Sequence, residues 1–185
     1  MSRYYEAARS LAYQLTRWSK NLKSGKKRFI ITSGGGPGIM EAANRGATEA
    51  KGLAVGLGIT LPKEQSGNPW ISEDLEIRFH YFFMRKYWFL YLAKALVVFP
   101  GGYGTLDELM ELLTLIQTRK IRKKIPIVLF DNDFWDKVVN WEFLAGSGTI
   151  SRKDLNLFKI CNTVDEAYKY LTQQITKNQL KGPNF

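Results

Sequence analysis

Short apolar runs alternate with stretches of helical periodicity along the whole chain, and that alternation leaves few architectures open. Tyr4, Ala8, Leu11, Leu15 and Trp18 recur every three or four residues, which predicts an amphipathic helix ending near Ser24-Gly25. The run Arg28–Ser33 reads as a buried strand, followed by a helix from Ile39 towards Ala50. Further strands are expected at Leu53–Ile59, Leu75–Phe79, Ala95–Phe99, Ile125–Phe130 and Leu157–Cys161. Helices are expected at Phe82–Ala93, Thr105–Thr118, Phe134–Leu144 and Val164–Ile175, and residues 60–74 read as loop. Runs such as Leu96-Val97-Val98-Phe99 have the continuous apolar character of parallel strands covered on both faces. The expected fold is α/β: a three-layer α/β/α, Rossmann-like domain with a mainly parallel sheet. No repeat or linker interrupts the pattern, so residues 1–180 read as one domain and 181–185 as a loose tail.

Several functional classes fall away on composition. One cysteine, Cys161, gives no intrachain disulfide, and with one histidine, His80, it makes a poor zinc ligand set. A Ser-His-Asp hydrolase would need His80 itself as base. Cys161 reads as an inert packed thiol. The most apolar stretch, Phe79–Phe99, carries His80, Arg85, Lys86 and Lys94, so it is a poor membrane span. With no h-region at the N-terminus, a cytoplasmic protein is expected. The net charge of +10 fits either a solvated basic face or an anionic partner. Pattern alone leaves nucleic acid as one such partner, to be tested by the salt dependence of DNA retention.

Chemistry is expected where ligands of open parallel sheets bind, beyond the carboxyl ends of the strands. Two glycine loops follow strands there, Thr32-Ser33-Gly34-Gly35-Gly36-Pro37-Gly38 and Phe99-Pro100-Gly101-Gly102-Tyr103-Gly104-Thr105. Each opens a helix, whose first N–H groups and dipole favour an anion. Two such cradles suggest a nucleotide or a sugar phosphate, while the plain alternative is that the glycines let helix and strand pack. Neither loop has the spacing of a dinucleotide fingerprint or the ending of an ATP-binding P-loop.

Carboxylates and cations stand near both loops. Helical spacing puts Asp107, Glu111, Thr114 and Thr118 on one polar stripe and Glu108 with Leu112 and Leu115 on a less polar one. Glu108, expected in the first turn, either performs chemistry or complements the helix dipole. Arg85 and Lys86 open a helix that is apolar nearly all round, expected to be buried, so they need an anion, a carboxylate or water. Tyr87, Trp88 and Tyr91 read as core or subunit interface, and Glu41 and Arg45 as a surface ion pair. His80 reads as packed or solvated, with a place lining the site as the alternative.

Gly34-Gly-Gly-Pro-Gly-Ile-Met-Glu-Ala-Ala-Asn-Arg-Gly-Ala47, Met84-Arg85-Lys86 and Pro100-Gly-Gly-Tyr-Gly-Thr-Leu-Asp-Glu108 together resemble the LONELY GUY (LOG) family, from about Tyr4 to Ala167. That family comprises cytokinin riboside 5'-monophosphate phosphoribohydrolases, long mislabelled lysine decarboxylases. The resemblance implies hydrolysis of the N-glycosidic bond of a nucleoside 5'-monophosphate, such as AMP, to free base and ribose 5-phosphate. It implies Arg85 and Glu108 as catalytic residues, so that Arg85→Ala and Glu108→Gln would each abolish base release. It implies Gly101, Gly102, Gly104 and Thr105 as phosphate-binding residues and contacts to substrate from Lys86 and Thr114; Gly34, Gly35, Gly36 and Tyr103 of the two glycine loops are expected to bind substrate with them. It also implies a homodimer with no metal and no cofactor. The strand with which the family opens has no counterpart here, where only Ser2-Arg3 stand ahead of the Tyr-Tyr-Glu-Ala-Ala-Arg helix. The competing expectation is a non-catalytic nucleotide or molybdenum-cofactor carrier, whose similar glycine-rich edge would hold a phosphorylated pterin. A pyridoxal-type decarboxylase draws no support, since no Schiff-base lysine with supporting groups can be named.

Overall fold

The structure is a computed structural model and describes residues 2–22, 29–60 and 67–180. The chain is α/β, built of two small all-parallel sheets flanked by helices in a Rossmann-like pattern. It divides into two compact units, Met1–Leu92 and Ala93–Phe185.

The first unit holds α1 (Ser2–Lys20), β1 (Ile31–Ser33), α2 (Ile39–Glu49), β2 (Ala54–Ile59), β3 (Glu76–Phe79) and α3 (Phe82–Leu92). Its sheet has the order β1-β2-β3, with Ser33 opposite Gly56 and Ile59 opposite Phe79. The buried line of α1 runs through Ala8, Leu11, Ala12, Thr16 and Ser19, whose small members face α2. Leu15 and Trp18, expected on that line, are only half-buried. The reason is close approach: a Cβ on Gly46 of α2 would collide with the carbonyl of Arg9, so only short side chains fit the seam. Trp18 instead stacks on Phe29, ring centroids 5.7 Å apart, beside a hydrogen bond from Ser19 Oγ to the Phe29 carbonyl at 2.9 Å. At the rim of the seam Arg9 and Arg45 both donate to Glu49, at 2.7 and 2.9 Å. These bonds, that from Arg9 foremost, hold the Glu49 carboxyl below its usual range. Arg45 thus pairs with Glu49 rather than the expected Glu41, which accepts from the Tyr5 hydroxyl at 3.0 Å. The outer strand β3 is exposed and carries an Arg78–Glu76 ion pair at 2.7 Å, the charged edge that resists pairing with another chain.

The second unit holds β4 (Leu96–Val98), α4 (Tyr103–Gln117), β5 (Ile127–Phe130), α5 (Asn132–Val138), α6 (Trp141–Gly146), a 3₁₀ turn (Arg152–Leu157), β6 (Lys159–Cys161) and α7 (Val164–Ile175). Its sheet has the order β4-β5-β6. All four residues of the central strand β5 are buried, and Trp135 of α5, fully buried, donates from Nε1 to the Phe130 carbonyl at 3.1 Å. Cys161 is fully buried as expected, and burial pushes its thiol upward.

Several expected boundaries shift, among them the strand read from Arg28, which begins at Ile31, and the strand read from Ile125, which begins at Ile127. The helix read at Phe134–Leu144 is two helices, because Val139 is extended and Asn140 caps α6 by accepting from Phe143 N at 2.9 Å. The strand read from Leu157 begins at Lys159, since Ser151 and Asp154 form a capping box that winds residues 152–157 into the 3₁₀ turn. The helix read from Thr105 begins at Tyr103. Arg28, the Ser24-Gly25 helix end, residues 61–66 of the loop and the 181–185 tail lie outside the described residues.

Lys123 gives the second unit a pH dependence. Its Nζ donates to the Ala93 carbonyl at 3.0 Å, and burial, with the nearby charge of Lys94, pulls the ammonium down from 10.5 to about 8. Between those values the unfolded chain holds a proton that the folded chain has shed, so this group makes stability rise with pH across that window. Lys123→Met should therefore raise the urea midpoint at pH 7, and the gain should shrink by pH 10. A midpoint at or below wild type at pH 7 would count against this account.

Candidate functional site

The first glycine loop joins β1 to α2 at the carboxyl end of its sheet. Gly35 and Gly38 have φ of +79° and +71°, a region costly for any residue with a Cβ. Gly35 also packs backbone to backbone on Gly56, 3.5 Å from a Cβ built on Gly35 to the Gly56 Cα. Gly38 is the N-cap of α2 and no side chain caps that helix end. A buried polar chain runs beneath the loop. The Gly35 N–H donates to Ser33 Oγ at 3.0 Å, and the Ser33 hydroxyl donates to Asn44 Oδ1. The Asn44 amide in turn donates to the Val55 carbonyl at 3.2 Å.

Arg85, in the first turn of α3, comes to this loop: its Nη1 lies 3.5 Å from the place a Cβ would take on Gly34. Its Nε is buried, and the guanidinium carbon sits 5.9 Å from the centroid of the Phe82 ring. Gly34, Gly35, Gly36 and Arg85 are thus gathered in the first unit, and Lys86, half-buried, follows on the same helix. The rest of α3 departs from expectation. Only Leu90 is buried, while Tyr81, Phe82, Phe83, Tyr87, Trp88 and Tyr91 are exposed. An apolar helix was expected in the core, but periodicity reports what a helix contains and not whether anything covers it. His80 is exposed, its ring edge-on to Tyr81 at 4.7 Å.

The second loop joins β4 to α4 in the second unit. Gly102 is the N-cap of α4 in an extended conformation, again without a side-chain cap. The helix therefore takes in Tyr103 and Gly104, and Tyr103 is 93% exposed. Thr105 folds back on the loop, its Oγ1 occupying the space that a Cβ on Gly101 would need. With the helix begun two residues early, Glu108 stands past the first turn and not within it, so the dipole reading loses force. Glu108 is half-buried, next to the fully buried Leu109. Glu111, expected on a solvated stripe with Asp107, has one carboxylate oxygen buried. Asp107 is exposed, and exposed Thr114 spends its hydroxyl on the Met110 carbonyl of its own helix at 2.7 Å. Among the described residues no three His, Cys, Asp or Glu side chains gather as a metal site, and no helix is long and apolar enough to cross a membrane.

Sequence reasoning missed Asn44 and Asn68. Asn44 is fully buried beside Ala47, the residue one helical turn on, and a polar residue among small buried ones was the available signal. Asn68 gave no periodic signal because it lies in loop.

Residues 40–171 match the protein family described as "Possible lysine decarboxylase". A pyrimidine/purine nucleotide 5'-monophosphate nucleosidase of Escherichia coli K12 is 30% identical over 125 residues, which cover 57% of this chain and 25% of that protein. A cytokinin riboside 5'-monophosphate phosphoribohydrolase of Arabidopsis thaliana is 27% identical over 152 residues, covering 77% of this chain and 64% of that protein. The chain thus spans a quarter of the length of the bacterial relative and under two thirds of the plant one. Among solved structures, the molybdenum cofactor carrier protein of Chlamydomonas reinhardtii superposes with a TM-score of 0.66 at 21% identity, over 95% of this chain and 90% of that one. The molybdenum cofactor binding protein of Rippkaea orientalis does so with a TM-score of 0.61 at 22% identity, over 92% and 89%. At these identities the superpositions establish the fold.

Proposed function

The chain belongs to the family described as possible lysine decarboxylases, and from that premise we propose that it binds a phosphorylated nucleotide or nucleotide-like cofactor at its first glycine loop. The observation that carries this reading is the approach of the Arg85 guanidinium to Gly34, which sets a permanent cation beside a loop whose glycines bring no side chains of their own, with the thioether of Met40 lying against Gly34 and Gly36. An uncapped helix N-terminus at the end of that loop adds the dipole and N–H groups that favour an anion.

Two finer readings share this binding step. Holding without cleavage draws the wider support, since the carrier structures superpose over more than nine tenths of the chain. N-glycosidic hydrolysis is favoured by the nucleosidase and phosphoribohydrolase relatives and by half-buried Glu108. In that reaction water adds at the anomeric carbon, the bond to the base nitrogen breaks, and the base departs with the electron pair and takes up a proton. A carboxylate at Glu108 would stabilise the positive charge that grows on the ribose or align the water. One experiment separates the readings: titrate the protein with AMP by calorimetry, then analyse the mixture by chromatography. Binding heat without adenine supports the carrier, adenine with ribose 5-phosphate supports the hydrolase, and neither sinks the shared proposal.

A homodimer is proposed with it, supported by the exposed aromatic face of α3, on which Tyr87 and Tyr91 stack with centroids 5.4 Å apart. Sedimentation equilibrium should show a dimer that Tyr87→Glu converts to monomer, and a wild-type monomer at micromolar concentration would refute this.

A further inference from the structure

We propose that Asn68 is the positioning residue of the first glycine loop, clamping it in the shape that receives the ligand, an inference that rests on the binding reading above. Asn68 is remote in sequence from the loop, yet it bonds to it from both backbone and side chain. Its backbone N–H donates to the Gly35 carbonyl at 2.8 Å. Its side-chain Nδ2 lies 3.0 Å from the same carbonyl, 3.2 Å from that of Gly36 and 3.1 Å from Asn44 Oδ1. Two N–H bonds shared among three oxygens fix the amide's orientation, since its oxygen would be repelled there. That oxygen instead accepts from Trp70 N at 3.2 Å.

The consequence lies in direction. A peptide unit that turns its carbonyl to one side turns its N–H to the other, so drawing the Gly35 carbonyl towards Asn68 aims the Gly36 N–H away from it, while the Gly36 carbonyl, which precedes Pro37 and has no N–H opposite it, is held in place. Glycines resist such ordering more than any other residue, and an unclamped loop would pay that entropy when ligand arrives. The clamp is itself anchored. Ile71 places its Cδ1 against Gly35 and Gly56, and the Trp70 ring lies under the Arg45 guanidinium at 5.2 Å. The Asn68 bond to Asn44 also closes the chain that starts at the Gly35 N–H and passes through Ser33.

The test uses Asn68→Asp, which keeps the acceptor for Trp70 N and removes both donors, with Asn68→Ala removing the acceptor as well. Both variants should bind AMP at least about tenfold more weakly by calorimetry, the loss of preorganisation. In both, hydrogen–deuterium exchange should rise across residues 33–39 while β2 stays protected. Asn68→Asp matching wild type in affinity and loop exchange would overturn the proposal, for the side chain would then serve only the turn at Trp70. Exchange raised equally through β2 would also overturn it, as general destabilisation. If wild-type protein binds no AMP, the binding reading fails by itself, and loop exchange in Asn68→Asp still decides whether the clamp exists.

Discussion

Arg85→Ala is expected to weaken AMP binding by about 10- to 100-fold, the loss of about 1.5–3 kcal/mol that a hydrogen bond to a charged group contributes. The guanidinium reaches Gly34 from a helical first turn with its Nε already buried, so part of its desolvation and ordering is in place before an anion arrives. Arg85→Lys should recover only part of the loss, because an ammonium cannot present the planar pair of donors that suits a phosphate. Calorimetry at two salt concentrations would check this, with the melting temperature as control for folding. An affinity within twofold of wild type would remove Arg85 from the site. Glu108→Gln makes the contrast. It should leave AMP binding nearly intact and, under hydrolysis, cut base release by about 10²–10⁴-fold, the usual range for a lost acid–base group.

Trp135→Ala should cost about 3–5 kcal/mol of stability, the range for removing a large aromatic from a core. The ring is wholly buried, meets Phe134 edge-on at 5.2 Å and donates to the carbonyl that ends β5. Truncation would leave a cavity and orphan the Phe130 carbonyl together. For a chain of this size that corresponds to a fall in melting temperature of roughly 10 °C. Trp135→Phe restores most of the volume but not the N–H, so it should fall between the two. Melting curves of the three proteins would show the order, and an unchanged midpoint in Trp135→Ala would contradict the packing described.

The order of strands and helices was legible because each parallel strand is a short apolar run with a turn signal after it, as β5 shows. The helix start at Tyr103 was not, since Gly102 caps in an extended conformation that glycine content alone does not announce. The break at Asn140 was hidden because Phe134–Leu144 holds no glycine or proline to mark where the chain extends at Val139. At the candidate site the glycines and Arg85 were legible, because loop chemistry and charge stand out in a chain. The asparagines were not: a side-chain amide matters here through oxygens brought from β1, α2 and the loop between them, and only folding supplies those.

Asn68 is followed by Pro69, and that order bears on how the clamp ages. Asparagine most often converts to aspartate in stored protein when the next peptide nitrogen attacks the side-chain carbonyl. A proline nitrogen has no proton to give up for that attack. The residue whose two donors matter most to the loop is thereby shielded from the very exchange of nitrogen for oxygen that would undo it, and old preparations should hold ligand as well as fresh ones.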